Sequence, residues 1–302
     1  MCELSQDISD VLGVENNSSQ IEYCGRFAPS PSGPLHLGNI RTAFLSWLRA
    51  RLEGGKWMLR IDDLDSLRIR SGAIEKIQYD LRWLGLYWDG PIIYQSKRIP
   101  LYETVLSDLK SKNKLYICKC SRKALSKLNR TSKEFIYPGI CRDLGLQLNS
   151  KQGKSTSLRL RVGKDFSETC GDIVVRRADG FIAYHLATVV DDLSLGINEV
   201  VRGNDLAPAK VAQLAIIDAL NQRKLRYRHV PILLDEKGEK LSKRNADKGL
   251  DAFISQGITP SEVIGFLASS VGLAPVGSSL SAVELLTDFI SRNRSINHIF
   301  ND

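Results

Sequence analysis

Three groups of residues in this 302-residue chain have types and spacings that could do chemistry. His36-Leu37-Gly38-Asn39 follows a proline-rich stretch and opens a helix-periodic apolar run. A helix N-terminus offers backbone N–H groups and positive dipole, glycine lets a ligand approach, and an imidazole can donate to phosphate oxygens as charge builds up. That is chemistry for a nucleotide. Lys240-Leu241-Ser242-Lys243-Arg244 is a basic loop whose lysines, three residues apart, can hold a polyphosphate and neutralise leaving pyrophosphate. Cys118, Cys120 and Cys141 belong to a set of six cysteines too sparse for a disulfide scaffold. Cys-x-Cys plus a distant Cys suits a tetrahedral structural zinc, with Cys170 a candidate fourth ligand.

The elements that must position these groups alternate in type. Ile21 to Phe27 reads as a strand, Ala28 to Pro34 as a loop held out of helix by three prolines and a glycine, and Ile40 to Leu52 as a helix. Trp57 to Ile61 is a second strand, running into Asp62-Asp63-Leu64-Asp65. Ser71 is placed to cap a helix carrying Ile74, Ile77, Leu81 and Leu84, and a further helix covers Ile99 to Lys112. In Thr156 to Val162, Leu158, Leu160 and Val162 alternate with Arg159 and Arg161, which predicts a strand with the arginines on a wet face. Ile173 to Arg177 and Phe181 to Leu186 predict a hairpin, Val200 to Gly203 leads to a helix over Pro208 to Leu220, and Val230 to Leu234 reads as a strand. Thr259-Pro260-Ser261-Glu262 is a capping box with proline at the first helical position. Strands and helices alternating on both sides of a basic segment predict a parallel α/β domain with an insertion.

Hydrophobic residues make up 43% and charged residues 25%, the composition of a globular protein with a sizeable core. No apolar run approaches the ~18 to 20 residues of a membrane span, and the N-terminus lacks a signal-peptide layout, so no membrane association and a cytoplasmic location are expected. The net charge of +8 is unevenly spread. Residues 1–22 carry five acidic groups and no Lys or Arg, whereas residues 97–164 carry 17 basic against 4 acidic groups, a net of +13. Such a segment suits a polyanionic partner.

Taken together, Gly25-Arg26-Phe27-Ala28-Pro29-Ser30-Pro31-Ser32-Gly33, His36 to Asn39 and Lys240 to Arg244 resemble the catalytic domain of class I glutamyl-tRNA synthetases, standing where that family has its HIGH and KMSKS sequences. Arg60 to Asp65, Trp88-Asp89-Gly90, Tyr94-Gln95-Ser96, Val190-Asp191-Asp192 and Val201 to Leu206 extend the likeness over about residues 21 to 250. About 57 residues follow Lys240 to Arg244, fewer than the anticodon-binding region of a full glutamyl-tRNA synthetase, so the chain is most similar to the short paralogues, the glutamyl-Q tRNA(Asp) synthetases. The fold the resemblance implies is a Rossmann-type parallel sheet with a zinc-bearing insertion and a short C-terminal helical piece. Its expected parts are a flexible acidic extension (1–20), the catalytic domain (21–96 and 166–248), the basic zinc-binding insertion (97–165) and the helical segment (249–302).

What the resemblance implies for function is a ligase-type enzyme that activates L-glutamate with ATP and transfers it to the queuosine base at the wobble position of tRNA(Asp). It assigns His36, Gly38, Asn39, Lys240, Ser242 and Lys243 to ATP, with His36 and Lys243 catalytic and Mg2+ carried with ATP. It assigns Arg26, Phe27, Ala28, Pro29, Ser30, Asp62, Tyr184 and Arg202 to glutamate, Arg202 favouring a carboxylate over an amide. It assigns Cys118, Cys120, Tyr137 and Cys141 to one structural zinc. Two positions depart from the family pattern. Asp62 stands where the family has glutamate, shortening the reach to the substrate ammonium by one methylene, with Asp63 the alternative. Asn39 replaces the second HIGH histidine, leaving His36 the only imidazole of the motif. The competing readings are a short enzyme charging the 3′ end of tRNA(Glu) and a non-catalytic zinc-bearing RNA-binding paralogue.

Overall fold

The computed structural model describes residues 8, 12, 22–128, 136–146, 156–233 and 249–301. In chain order the elements are β1 (Cys24–Phe27), α1 (Leu37–Leu52), β2 (Lys56–Ile61), α2 (Ala73–Trp83), β3 (Ile93–Tyr94), α3 (Ile99–Ser111), β4 (Leu115–Cys118) and α4 (Arg122–Leu128). They continue with β5 (Ser157–Leu160), α5 (Lys164–Ser167), β6 (Ile173–Arg176), α6 (Tyr184–Ser194), β7 (Glu199–Gly203), α7 (Ala209–Ala219), β8 (Arg226–Val230), α8 (Asp251–Ile254), α9 (Pro260–Ser269) and α10 (Ala282–Ser291). The chain divides into two compact units, one of Met1–Asn16, Ser96–Gly196 and Pro208–Lys224, the other of Asn17–Gln95, Ile197–Ala207 and Leu225–Asp302.

The second unit holds the parallel strands. β2 lies between β1 and β3, parallel to both, and β7 pairs in parallel with β8. Asn198 joins the two ladders: its N–H donates to the Cys24 carbonyl at 3.0 Å and its side-chain oxygen accepts from the Cys24 N–H at 3.1 Å. α1 buries Ile40, Phe44 and Leu48 in the same core as Trp57, Val201 and Val230, and the C-terminal helices add Ile264, Leu267 and Phe289 to it. Buried Glu199 anchors the seam, accepting from Arg49 at 2.9 Å and from the Tyr23 hydroxyl at 3.2 Å. The capping box at Thr259 forms with Pro260 at the first helical position, and Ser281 with Glu284 makes a second one.

The other unit is built on the antiparallel sheet β4-β5-β6 with α3, α6 and α7. Asp191 of α6, fully buried, accepts from the Tyr102 hydroxyl of α3 at 2.9 Å and from Arg98 at 2.7 Å. Asp172 does similar work beside β6, accepting from the Tyr116 hydroxyl at 2.7 Å and Arg142 at 2.6 Å. The two described residues of the acidic N-terminal stretch, Ile8 and Leu12, are both buried.

Four local expectations are corrected. Ser71 does not cap α2: the N-cap position is Gly72, at φ 74°, with no side-chain bond. The strand expected at Val230 to Leu234 lies earlier, at Arg226–Val230, because its partner β7 ends at Gly203, which pairs with Val230, and the chain turns into a short helical turn at Asn204. The hairpin reduces to one bridge, Arg176 with Ile182, since α6 begins at Tyr184 to bury Leu186, Val189 and Val190. Arg159 is buried and not on a wet face, because its side of β5 is covered: the guanidinium lies against the Tyr137 ring at 3.7 Å and donates to the Asp172 carbonyl at 2.6 Å.

Candidate active site and metal centre

Arg26, on β1, and Arg202, on β7, come together at the carboxyl ends of the parallel strands, where open α/β sheets bind ligands. Both are buried, and Arg26 donates through Nη1 to the carbonyl of Val201 at 3.4 Å. Arg202 stacks over the Tyr227 ring at 4.8 Å and donates through Nε to His229 Nε2 at 3.3 Å. The loop after β1 returns to the same end: the Asp62 N–H donates to the Pro29 carbonyl at 3.0 Å and the Arg70 N–H to the Pro31 carbonyl at 2.9 Å. Phe27 and Pro29 are buried there, Ala28 is half-buried and Ser30 is exposed. Asp62 is gripped by buried Arg60, Nε to Oδ1 at 2.6 Å and Nη2 to Oδ2 at 3.2 Å, and Asp63 is itself buried. Tyr184 belongs to the other unit, where it opens α6, partly exposed and edge-on to His185.

His36 is the N-cap of α1, its Nδ1 accepting from the Asn39 N–H at 3.3 Å. That bond fixes the tautomer with the proton on Nε2, the donor form an anion needs. It also commits the Asn39 N–H to the cap. Gly38 lies close against the same ring: a Cβ there would stand 3.1 Å from Cε1 and Nδ1 of His36, so a larger residue would push the imidazole by a few tenths of an ångström. Lys240, Ser242 and Lys243 lie outside the described residues.

The motif Trp88-Asp89-Gly90 serves the scaffold. Asp89 takes a two-pronged bond from Arg51 of α1, at 2.7 and 3.2 Å, and accepts from the Trp57 N–H of β2 at 2.7 Å. Burial works to raise its pKa, but the Arg51 fork and the Trp57 N–H outweigh it and hold the carboxyl below its ordinary value of 3.8.

In the other unit, Cys118, Cys120 and Cys141 gather with their sulfurs within 4.8 Å of one another, the one such cluster of potential metal ligands among the described residues. The Tyr137 hydroxyl stands 3.4 Å from the Cys118 sulfur and 3.6 Å from that of Cys120, and the Cys120 and Cys141 sulfurs are 3.6 Å apart. For metal–sulfur bonds of about 2.3 Å and metal–oxygen bonds of about 2.0 Å, a tetrahedron has S···S edges of about 3.8 Å and S···O edges of about 3.5 Å. The group therefore fits a tetrahedral ion of zinc's size. Gly171, at φ 63°, lets this happen: a Cβ there would come within 2.8 Å of the Tyr137 backbone. Burial disfavours the Cys118 thiolate, but the Tyr137 hydroxyl, the Cys120 N–H and Arg159 outweigh it and bring the thiol down to about 7. Burial pushes Cys120 up to about 11, reinforced by its sulfur neighbours. Cys170 stands outside the cluster, its thiol directed at the Phe166 carbonyl at 3.5 Å.

Arg159, Tyr227 and His229 were not singled out from the sequence. Arg159 carried a misleading signal, its alternation with leucines, while Tyr227 and His229 become visible only through the β7–β8 register, which sets Arg202 beside His229.

Residues 23–279 match the family described as tRNA synthetases class I (E and Q), catalytic domain. The glutamyl-Q tRNA(Asp) synthetase of Prochlorococcus marinus (strain MIT 9313) is 56% identical over 267 residues, covering 88% of this chain and 87% of the relative. That of Nocardia farcinica is 40% identical, covering 88% of each. Among solved structures, a glutamate tRNA ligase from Elizabethkingia meningosepticum superposes with a TM-score of 0.74 at 24% identity, covering 88% of this chain. This chain spans 64% of that longer one. No helix among the described residues is long and apolar enough to cross a membrane. With the parallel sheet, the motif segments at its carboxyl ends and these matches, the chain belongs to the class I tRNA synthetases (E and Q), and within them to the glutamyl-Q tRNA(Asp) synthetases.

Proposed function

We propose that this protein activates L-glutamate with ATP and transfers the glutamyl group to the queuosine base of tRNA(Asp). The observation that carries the reading is the likeness, 56% identity over 88% of the chain, to a glutamyl-Q tRNA(Asp) synthetase, supported by two buried arginines where such a substrate would need cations. In activation, an oxygen of the glutamate α-carboxylate attacks the α-phosphorus of ATP, the bond to the bridging oxygen breaks, and pyrophosphate leaves. In transfer, a hydroxyl of the modified base attacks the acyl carbon and AMP leaves. No residue need act as a covalent nucleophile. Catalysis rests on positioning and charge stabilisation by His36, the start of α1 around Gly38 and Asn39, and Lys240, Ser242 and Lys243. Magnesium bound with ATP supplies further neutralisation of the phosphates.

Arg26 and Arg202 would hold the substrate carboxylates, flanked by Phe27, Ala28, Pro29 and Ser30. Asp62 would take the ammonium with the lone pairs that the Arg60 fork does not use, since a carboxylate offers about four acceptor sites. Cys118, Cys120, Tyr137 and Cys141 would hold a structural zinc, and the basic segment 97–165 would grip the tRNA. A cytoplasmic enzyme is the consistent setting. The test is twofold: glutamate-dependent ATP–pyrophosphate exchange, then charging of queuosine-containing tRNA(Asp) against tRNA(Glu). Exchange with charging of tRNA(Glu) alone would mean a short glutamyl-tRNA synthetase. Zinc and RNA binding without exchange would mean a non-catalytic paralogue.

A further inference from the structure

We infer that His229 is a positioning residue for Arg202, setting which edge of the guanidinium is presented to the substrate carboxylate. This rests on Arg202 being a glutamate-binding residue. In the parallel β7–β8 register Arg202 stands opposite His229, so the two side chains share one face of the sheet, and both are buried. Tyr227, two residues earlier on β8, shares that face and lies under the guanidinium at 4.8 Å. The ring stacking fixes the guanidinium plane, and the bond from Arg202 Nε to His229 Nε2, 3.3 Å long, fixes its rotation within that plane. A side-on fork needs Nε. An Arg202 whose Nε is bound to His229 therefore presents its end-on pair, Nη1 and Nη2, to a carboxylate.

The acceptor is itself held. On the side of β8 away from β7, the His229 N–H donates to the Asn301 carbonyl at 2.8 Å and the Asn301 N–H returns to the His229 carbonyl at 2.9 Å. Ile296, Ile299 and Phe300 anchor that segment in the core shared with Phe27 and Val201. For Nε2 to accept, the ring must carry its proton on Nδ1, so His229 works as a neutral acceptor.

Glutamine and asparagine separate this role from plain packing. The oxygen of glutamine can reach the place of Nε2, whereas that of asparagine stops near the place of Nδ1. In ATP–pyrophosphate exchange by the full chain, His229→Asn should raise the KM for glutamate at least fivefold, with kcat within threefold and the KM for ATP within twofold of wild type. His229→Gln should restore the KM for glutamate to within threefold. A smaller effect of His229→Asn, equal impairment by both variants, or a parallel fall in kcat or ATP binding overturns the proposal. Should His229→Asn fail to fold, judged by its thermal melt, Tyr227→Leu is held to the same fivefold criterion. Glutamate-dependent exchange missing from the wild type, or unaffected by Arg202→Leu, overturns the assignment of Arg202 instead, and His229's role with it.

Discussion

The guanidinium of Arg159 lies 3.7 Å from the centre of the Tyr137 ring, whose hydroxyl touches Cys118 and Cys120 and accepts from the Cys141 N–H at 3.0 Å. Were this group to hold a divalent ion, three thiolates and a phenolate would leave two negative charges in a largely buried place. Arg159, itself buried and anchored on the Asp172 carbonyl at 2.6 Å, is the cation set against them. This gives a buried arginine on β5 an electrostatic reason to be there.

Replacing Arg159 with methionine keeps most of the volume and removes the charge. Zinc affinity, measured by competition with a chromophoric chelator, should fall roughly 5- to 30-fold, the equivalent of about 1 to 2 kcal/mol. Lysine should recover part of it. Cys118→Ser or Cys141→Ser should lose zinc outright and impair transfer to tRNA more than adenylate formation, the ion being structural. Unchanged zinc content in the cysteine variants would count against the site.

Arg202→Leu should nearly abolish glutamate use, because a desolvated carboxylate loses its cation. The expected cost is roughly 2 to 5 kcal/mol, or about 30-fold to several thousand-fold in affinity. Lys243→Ala should instead slow activation with glutamate binding intact, a contrast that equilibrium binding and exchange kinetics measured side by side would reveal.

Asp89 offers a test by pH. Its folded pKa lies below the ordinary 3.8, so the stabilisation it brings is present above about pH 4 and is lost as pH falls through the lowered value. Asp89→Asn should cost about 1 kcal/mol at neutral pH, a figure discounted for the side chain's partial exposure. The gap between the two proteins in urea denaturation should narrow as the pH falls below about 4. A gap that stays constant would mean that the charge on Asp89 contributes nothing.

The basic segment predicts a salt effect. Binding of tRNA(Asp) should weaken with a log–log slope of about −0.7 to −0.9 per phosphate neutralised, while adenylate formation changes far less. Lys123 and Lys127 are exposed on α4. Reversing their charges together with Arg130, which lies outside the described residues, should weaken all tRNAs alike and spare discrimination for the modified base. Filter binding at low salt showing unaltered affinity would move the RNA elsewhere.

The parts of the site legible in the sequence were those with a local signature. His36 could be placed at the head of α1 because proline, histidine and glycine punctuate the chain there, and the cysteines announced their cluster by type. What stayed hidden depended on partners far along the chain. The cover over Arg159 comes from Tyr137 and Asp172, 22 and 13 residues away in the chain, and alternation within β5 does not show it. Asp89 and Asp191 belong to segments that extend the family likeness, and the role of each, tying a helix to its neighbours, depends on partners far along the chain. Likewise, no pattern within β8 shows that His229 faces Arg202.

The seam between β1 and β7 has a kinetic consequence. Its bonds join residues 174 to 176 apart in sequence, from Cys24 with Asn198 to Tyr23 with Glu199, whereas the cysteine cluster is joined across separations of 17 to 21. Closing a longer loop costs more entropy, and non-local parallel pairing is slow. A chain returning from denaturant should therefore gather its cysteines early and bring Arg26 against Val201 late. Until then its two halves of sheet present unpaired strand edges to other molecules, and dilution, more than temperature, should govern how much activity is recovered.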